Sequence, residues 1–209
     1  MSQTYTLLLR LEGSMQSWGY RSRFDYRDTA LEPTRSGVIG LICAAWGIAR
    51  GEDISSFDVI RMGVRVDKEG RLERDYQTAL DVIKADGSGT GTVQSWRDYL
   101  ADASFTVGLE DSNKELLNKI AIHLLCPKWA LFLGRKAFPL AAPPIVDHLD
   151  PVKPGNLEKH LLSGVSNKRV VLETANGERT QYDWPLCFGE RRFKPRSIHI
   201  QFDNKGVTK

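Results

Sequence analysis

A chain of 209 residues, 41% hydrophobic and 26% charged, has the composition of a soluble globular protein, and no apolar run approaches the ~20 residues needed to cross a bilayer. The length supports one buried core with additions, and excludes a chain too small to bury a core without disulfides or metals. A formal net charge of +3 is too small for the sum to decide for or against nucleic acid, so the placement of the basic residues has to decide.

The segment "TYTLLLRLEG" has the apolar density of a strand. Arg10 interrupts its apolar stretch, and it has neither a basic flank nor a small-residue cleavage site, so an export signal is not expected and the cytoplasm is the expected location. "GSMQSWGYRSRFDYRDTALEPT" follows as a long loop rich in arginine and aromatics. After Pro33, Thr34 or Ser36 can cap a helix. Val38, Ile39, Ile42, Ala45 and Trp46 recur at helical spacing until Gly47 offers a stop. "FDVIRMGVRVDKEGRLERDYQTAL" predicts a strand, a turn at 67–70 and a polar strand buried on neither face, the start of a projecting hairpin. Its tip, "KADGSGTGTV", is rich in glycine and small polar residues and is expected to be mobile in the free protein; the arm returns through "QSWRDYLADA".

"SFTVGLE" predicts another strand, Leu116, Leu117, Ile120 and Leu124 form the stripe of a second helix, and "WALFLGRKAF" predicts a strand ending at Gly134, Arg135 and Lys136. The order βαββαβ implies an α+β fold: a ferredoxin-like or RRM-like core over residues 1–140, with a hairpin thumb inserted at about 67–98. Pro143, Pro144, Pro151 and Pro154 mark a change of organisation, and residues 141–209 are expected to be a C-terminal extension of short strands.

Several constellations bear on function. The first loop sets Arg21, Arg23 and Arg27 among Trp18, Tyr20, Phe24 and Tyr26, the mixture of guanidinium groups and flat rings that single-stranded RNA requires, although the same rings could pack on the core. "PTRSG" places Arg35, the Ser36 hydroxyl and free backbone N–H groups at a helix start that favours an anion, or else makes Ser36 a plain cap and Arg35 a surface ion pair. Arg135 and Lys136 follow Gly134, which would let a phosphodiester backbone approach, with Lys128 nearby. "ERRFKPR" is the densest cationic stretch and reads equally as a solvated face. Cys43, Cys126 and Cys187 lack metal-ligand spacing and are expected to be buried thiols, so neither a metal nor a cofactor is implied.

A metal-free RNA cleavage site needs a base near the ribose 2′-OH and a cation for the phosphorane. Lys119 and His123 are the one such pair on a single element, but His123 falls on the apolar side of its helix, as a packed structural histidine would. His148, His160 and His199 have no evident acid or nucleophile beside them, and no nucleophile-elbow, P-loop or metalloprotease motif occurs.

Taken in order, "LLLRLEGSMQSWG", "PTRSGVIGLICAAWGI", "RDYQTAL", "SWRDYLADASFTVGL" and "LFLGRKAFPL" resemble the CasD-type subunits of type I-E CRISPR Cascade, the fifth Cas family within the RAMP superfamily. The resemblance covers roughly residues 5–140. It implies a non-catalytic RNA-binding subunit with a ferredoxin-like core and a thumb, capping the 5′ handle of mature CRISPR RNA. The implied partners are the CasC backbone subunit, the large CasA subunit and, through the complex, target DNA; no membrane is involved. The alternative is a metal-independent endoribonuclease acting on the CRISPR precursor. The family pattern Gly-Pro-Met-Gln-x-Trp-Gly appears as Gly13 to Gly19 with Ser14 in place of proline. It carries Gln16 and Trp18, with Arg21 and Arg23 beyond them, into the expected handle-facing loop. Arg35 and Ser36 at the helix start, Tyr76, Gln77, Thr78 and Trp96 in the thumb, and Lys128, Arg135 and Lys136 around the glycine loop complete the expected RNA contacts, and Arg35→Ala is expected to weaken handle binding.

Overall fold

In the computed structural model, which describes residues 3–19, 21, 25–162 and 167–202, the first strand β1 (Tyr5–Glu12) buries Leu7, Leu9 and Leu11 on one face. The alternation the sequence carries is therefore used in full. β1 begins a chain-ordered set that also holds the short β2 (Met15–Gln16) and β3 (Tyr26–Arg27), both inside the arginine-rich loop, then α1 (Arg35–Trp46) and β4 (Arg61–Lys68). The hairpin arm is β5 (Arg71–Ile83) and β6 (Thr90–Ala101), followed by β7 (Ser104–Asp111), α2 (Lys114–Leu125), β8 (Val152–Pro154), α3 (Leu157–Leu162), β9 (Arg169–Glu173), β10 (Arg179–Cys187) and β11 (Arg192–Phe202). No helix among the described residues is long and apolar enough to cross a membrane.

The α+β architecture is built on a seven-stranded sheet in the order β10-β11-β9-β4-β7-β1-β8. Its β4-β7-β1-β8 part is the four-stranded antiparallel arrangement of a ferredoxin-like core, with Leu7 opposite Leu109, Leu9 opposite Val107 and Leu11 opposite Phe105. Helices α1 and α2 cover the face bearing these leucines. Thr34 caps α1, its Oγ1 accepting from the Gly37 N–H at 3.3 Å, and Gly47 closes it at φ 83° with its N–H on the Cys43 carbonyl at 2.8 Å. The helix α3 packs on the opposite face, where the paired Gly63 and Gly108 admit it: a Cβ on either would lie within 2.7 Å of Leu161 or Leu157.

The fourth core strand differs from the expected one. "WALFLGRKAF" folds back on itself instead of extending: the Leu133 N–H donates to the Phe138 carbonyl at 2.8 Å, and the Phe138 N–H to the Arg135 carbonyl at 2.8 Å. Gly134 sits at φ 88°, which ends any extended run. The vacant edge of β1 is taken by β8, pairing Leu7 with Val152 and Tyr5 with Pro154. The boundary expected at 140/141 therefore runs through the core sheet, and β9, β11 and β10 lengthen that sheet beyond β4. The thiols are also not uniformly buried: Cys43 is, Cys187 is intermediate and Cys126 is exposed.

The arm stands out from this core as expected. β5 is exposed along nearly its whole length. The tip closes with the Lys84 N–H on the Gly89 carbonyl at 3.0 Å. At its base, β6 also pairs with β2 and, in parallel, with β3, so the arginine-rich loop is stitched to the arm in a second, four-stranded sheet.

Candidate nucleic-acid interface

The start of α1 does bind an anion, and the anion is the protein's own. The Arg35 N–H donates to Asp183 Oδ2 at 2.8 Å, and the Arg35 guanidinium pairs with Glu173 at 2.8 Å while donating to the Ile60 and Phe57 carbonyls. Arg196 completes the set through Asp183 and Glu173. Arg35 is 1% exposed and lies over the Trp184 ring at 3.6 Å. Its expected role as an RNA contact is corrected: Glu173 and two backbone carbonyls hold the guanidinium inside the protein, with Nε left unpartnered, while Asp183 takes the backbone N–H.

Gln16 and Trp18 are packed inward as well, being 0% and 1% exposed, with Trp18 bordering the cavity beside α1. The Gln16 amide donates to the Leu11 and Ala103 carbonyls and accepts from Trp18 Nε1, while the Trp18 ring packs over Gly37 so closely that a Cβ there would meet it at 2.7 Å. A polar side chain this buried needs all these partners. The pair locks the loop onto α1.

What these residues build is a groove of about 1270 Å³ along the outer face of α1. That exceeds the ~300–1,000 Å³ usual for a small-molecule site and suits an extended polymer. Its floor is smooth because Ser36, Gly37, Gly40 and Ala44 present little side chain, and its walls come from the Gly19 loop, the base of the arm, the Gly134 loop and the β10–β11 turn. Six cations line it: Arg27, Arg50, Arg97, Arg135, Lys136 and Arg191. None has an ion-pair partner among the described residues, and the one lining carboxylate there is Asp28.

The cations at the arm end are set by register. β3 runs parallel to β6 with Arg27 beside Arg97, so both side chains share the groove face. Arg135 reaches the same place and donates to the Asp98 carbonyl at 2.8 Å. Burial and then the neighbouring Arg97 and Arg27 hold the Arg135 guanidinium below its ordinary range, although Asp75 and Asp98 oppose them. A site that crowds like charges in this way favours a polyanion. Gly134 has a different reason from the one expected. A Cβ there would lie 1.7 Å from the Ser17 carbonyl oxygen, so the glycine admits the protein's own backbone.

The arm divides the remaining expected contacts between two faces. Tyr76 lies opposite Trp96 with ring centroids 5.6 Å apart, and Tyr26 flanks Trp96 on its other side. Thr78 shares this face by alternation; Gln77 falls on the other, with Arg97. The three rings are between 37% and 52% exposed. Ser36, Arg135 and Lys136 thus meet at the groove, whereas Tyr76, Thr78 and Trp96 form a separate aromatic face. Lys128 lies against Gly47 and Trp129 and does not line the groove. Arg21 is exposed with its N–H on the Asp28 carboxylate, and Arg23, like Tyr20 and Phe24, lies outside the described residues. Arg97, Arg50 and Trp129 also line the groove and stand outside the expected set; alternation in "QSWRDYLADA", which separates Arg97 from Trp96, is the available signal for the first.

None of the four histidines lines the groove. The His123 ring stacks on Trp46 with centroids 4.6 Å apart and planes 24° apart, and neither ring lines the groove. Among the described residues, no group of three or more His, Cys, Asp or Glu is placed to hold a metal.

Comparison with known proteins finds relatives over nearly the whole chain. A family described as "CRISPR-associated protein (Cas_Cas5)" matches residues 6–201. The CRISPR system Cascade subunit CasD of Escherichia coli (strain K12) is 37% identical over 216 residues, covering 93% of this chain and 94% of the relative. A chain of a structure described as a CRISPR RNA-guided surveillance complex superposes with a TM-score of 0.83 at 30% identity, over 95% of this chain and 90% of its own. A crystal structure of a Cas protein gives 0.77 at 38% identity, over 96% and 95%.

Proposed function

This chain belongs to the Cas5 family of CRISPR-associated proteins, and on that premise we propose that its groove caps the 5′ handle of CRISPR RNA within a Cascade-type surveillance complex. The family role is that of an RNA-binding subunit in such a complex. The observation that carries the assignment to this site is the set of six groove-lining cations with no ion-pair partner among the described residues. Phosphates of a single strand would lie along Arg97, Arg135 and Lys136, and the shallow floor of Ser36, Gly37 and Gly40 would admit the backbone. The arm then presses on the guide beside the CasC backbone subunit, while other surfaces meet CasA. Target DNA is met through the guide, which reads sequence by base pairing.

The protein acts as a binder in this reading, because His123 is stacked on Trp46 and no histidine reaches the groove. The test is binding and cleavage of labelled repeat RNA by the full chain in EDTA, with and without CasC, against a scrambled handle. Handle-selective binding that leaves the RNA intact supports the capping role. A single metal-independent cut lost in His123→Ala, or equal affinity for the scrambled handle, overturns it.

A further inference from the structure

We propose that the turn joining β10 and β11 forms a nucleotide subsite on the wall of the groove, where Phe193 stacks an unpaired RNA base and Arg191 and Arg50 hold its phosphates. The inference rests on the reading of the groove as an RNA site and assigns part of it to a segment far from the arm. It begins with how "ERRFKPR" divides in the fold. Arg192 pairs with Glu190, Lys194 lies 3.8 Å from Asp58 and over the Trp184 ring, and Arg196 is buried against Asp183 and Glu173. Arg191 is the member of the run that lines the groove and has no ion-pair partner among the described residues.

The turn is docked where a ligand in the groove would pass. The Gly189 N–H donates to the Arg50 carbonyl at 2.7 Å, which fixes the turn to the segment just beyond α1 and brings Arg50 beside it. Arg191 adopts φ 52°, the left-handed region that a non-glycine residue occupies at a cost, and its N–H reaches back to the Phe188 carbonyl at 3.4 Å. Phe188 packs on the core and meets Phe193 edge to face, with centroids 6.5 Å apart and planes at 72°. Phe193 stays 40% exposed on the groove wall. Below them, Gly40 leaves the floor open: a Cβ added there would meet only Phe188, at 3.8 Å. A supported, half-exposed ring on a concave cationic wall that Arg191 and Arg50 also line is the arrangement that takes a splayed base together with its phosphates.

The experiment uses the full chain and handle RNA carrying the fluorescent base 2-aminopurine at one position at a time. One position is expected to be quenched on binding the wild type. Phe193→Ala should abolish that quench and lower affinity about tenfold, the size of one lost stacking contact, while Phe193→Tyr keeps both. Arg191→Gln, which leaves the ring in place, should keep the quench and reduce the salt slope by about 0.7. Unchanged quench and affinity in Phe193→Ala, in a protein whose Lys136→Ala variant does bind RNA more weakly, would overturn the subsite alone. RNA binding that is insensitive to Lys136→Ala as well would overturn the groove reading and the subsite with it.

Discussion

Arg35 and Glu173, 138 residues apart in the chain, form an ion pair of 2.8 Å whose side chains are 1% and 7% exposed. The pair joins the first helix of the core to β9, the added strand that pairs directly with β4. Asp183 occupies the backbone N–H at the start of that helix and Arg196 bridges both acids, so two positive and two negative side chains close on one another. A buried cluster of this kind holds elements in register more than it adds net stability, because each charge must recover its lost hydration.

Removing Glu173 leaves the Arg35 guanidinium buried without an ion-pair partner, whereas removing Arg35 leaves both acids on Arg196, and this gives the first prediction. Glu173→Ala should cost about 3–5 kcal/mol in urea unfolding, and Arg35→Ala less. The affinity of the folded fraction for RNA should be unchanged in both. A stable Arg35→Ala protein with weakened RNA binding would return Arg35 to the interface.

Gly134→Ala tests the loop that presents Arg135 and Lys136. The substitution places a Cβ 1.7 Å from the Ser17 carbonyl at a φ of 88°. The loop must move, at a cost of about 1–3 kcal/mol for the backbone conformation alone. Thermal melting should fall and RNA binding weaken together. A variant that melts like the wild type would show that the Ser17 contact does not hold the loop.

The alternation of Leu7, Leu9 and Leu11, the stripe of α2 and the exposed polar strand β5 were legible because each is a local periodicity. The strand β8 was not: it has three residues, ends in Pro154, and exists because β1 has a free edge. The same limit applies to the site. Arg35 and Lys136 are both basic residues beside a glycine loop or helix start, and their local sequence does not say that Glu173 will meet one of them. Arg97 enters the groove through its parallel pairing with Arg27, a register that neither segment encodes by itself.

Salt dependence separates groove cations from bystanders. Lys136→Ala and Arg97→Ala should each flatten the plot of log affinity against log salt by about 0.7, the release of one counterion from a single strand. Arg10→Ala, on β1 and outside the groove lining, should leave the slope unchanged. Equal slopes for all three would place the RNA elsewhere.

Thiol chemistry should follow burial. Desolvation pushes the Cys43 thiol up to about 12, so it stays protonated and shielded, whereas Cys126 is exposed. A thiol-reactive dye should label Cys126 in the native protein and Cys43 only after unfolding. Rapid labelling of Cys43, which borders the groove, would mean that the groove opens around α1 in the native protein.

The base of the arm should respond to pH through Asp98. Arg74 Nε donates to its Oδ1 at 2.7 Å and the Tyr26 hydroxyl donates to Oδ2, joining β5, β6 and β3 at one carboxylate. The Arg74 hydrogen bond, aided by Tyr26 and opposed by partial burial, holds the Asp98 carboxyl below its ordinary range. Because the folded-state value lies below the unfolded value of ~3.9, this contribution is fully present above about pH 4 and is lost as the pH falls through the lowered value. Tyr26 responds at the other end: its hydrogen bond to Asp98 raises the phenol, so its contribution is full below about pH 10 and is lost as the pH rises through the raised value. The joint should therefore be strongest between about pH 4 and pH 10. Arg74 is 56% exposed, so solvent screening keeps the effect modest. Urea unfolding at about pH 3, at neutral pH and at about pH 11 should show a larger acid loss for the wild type than for Asp98→Asn, with Tyr26→Phe removing the alkaline loss instead. Identical acid losses in wild type and Asp98→Asn would mean that the carboxylate does not anchor the arm.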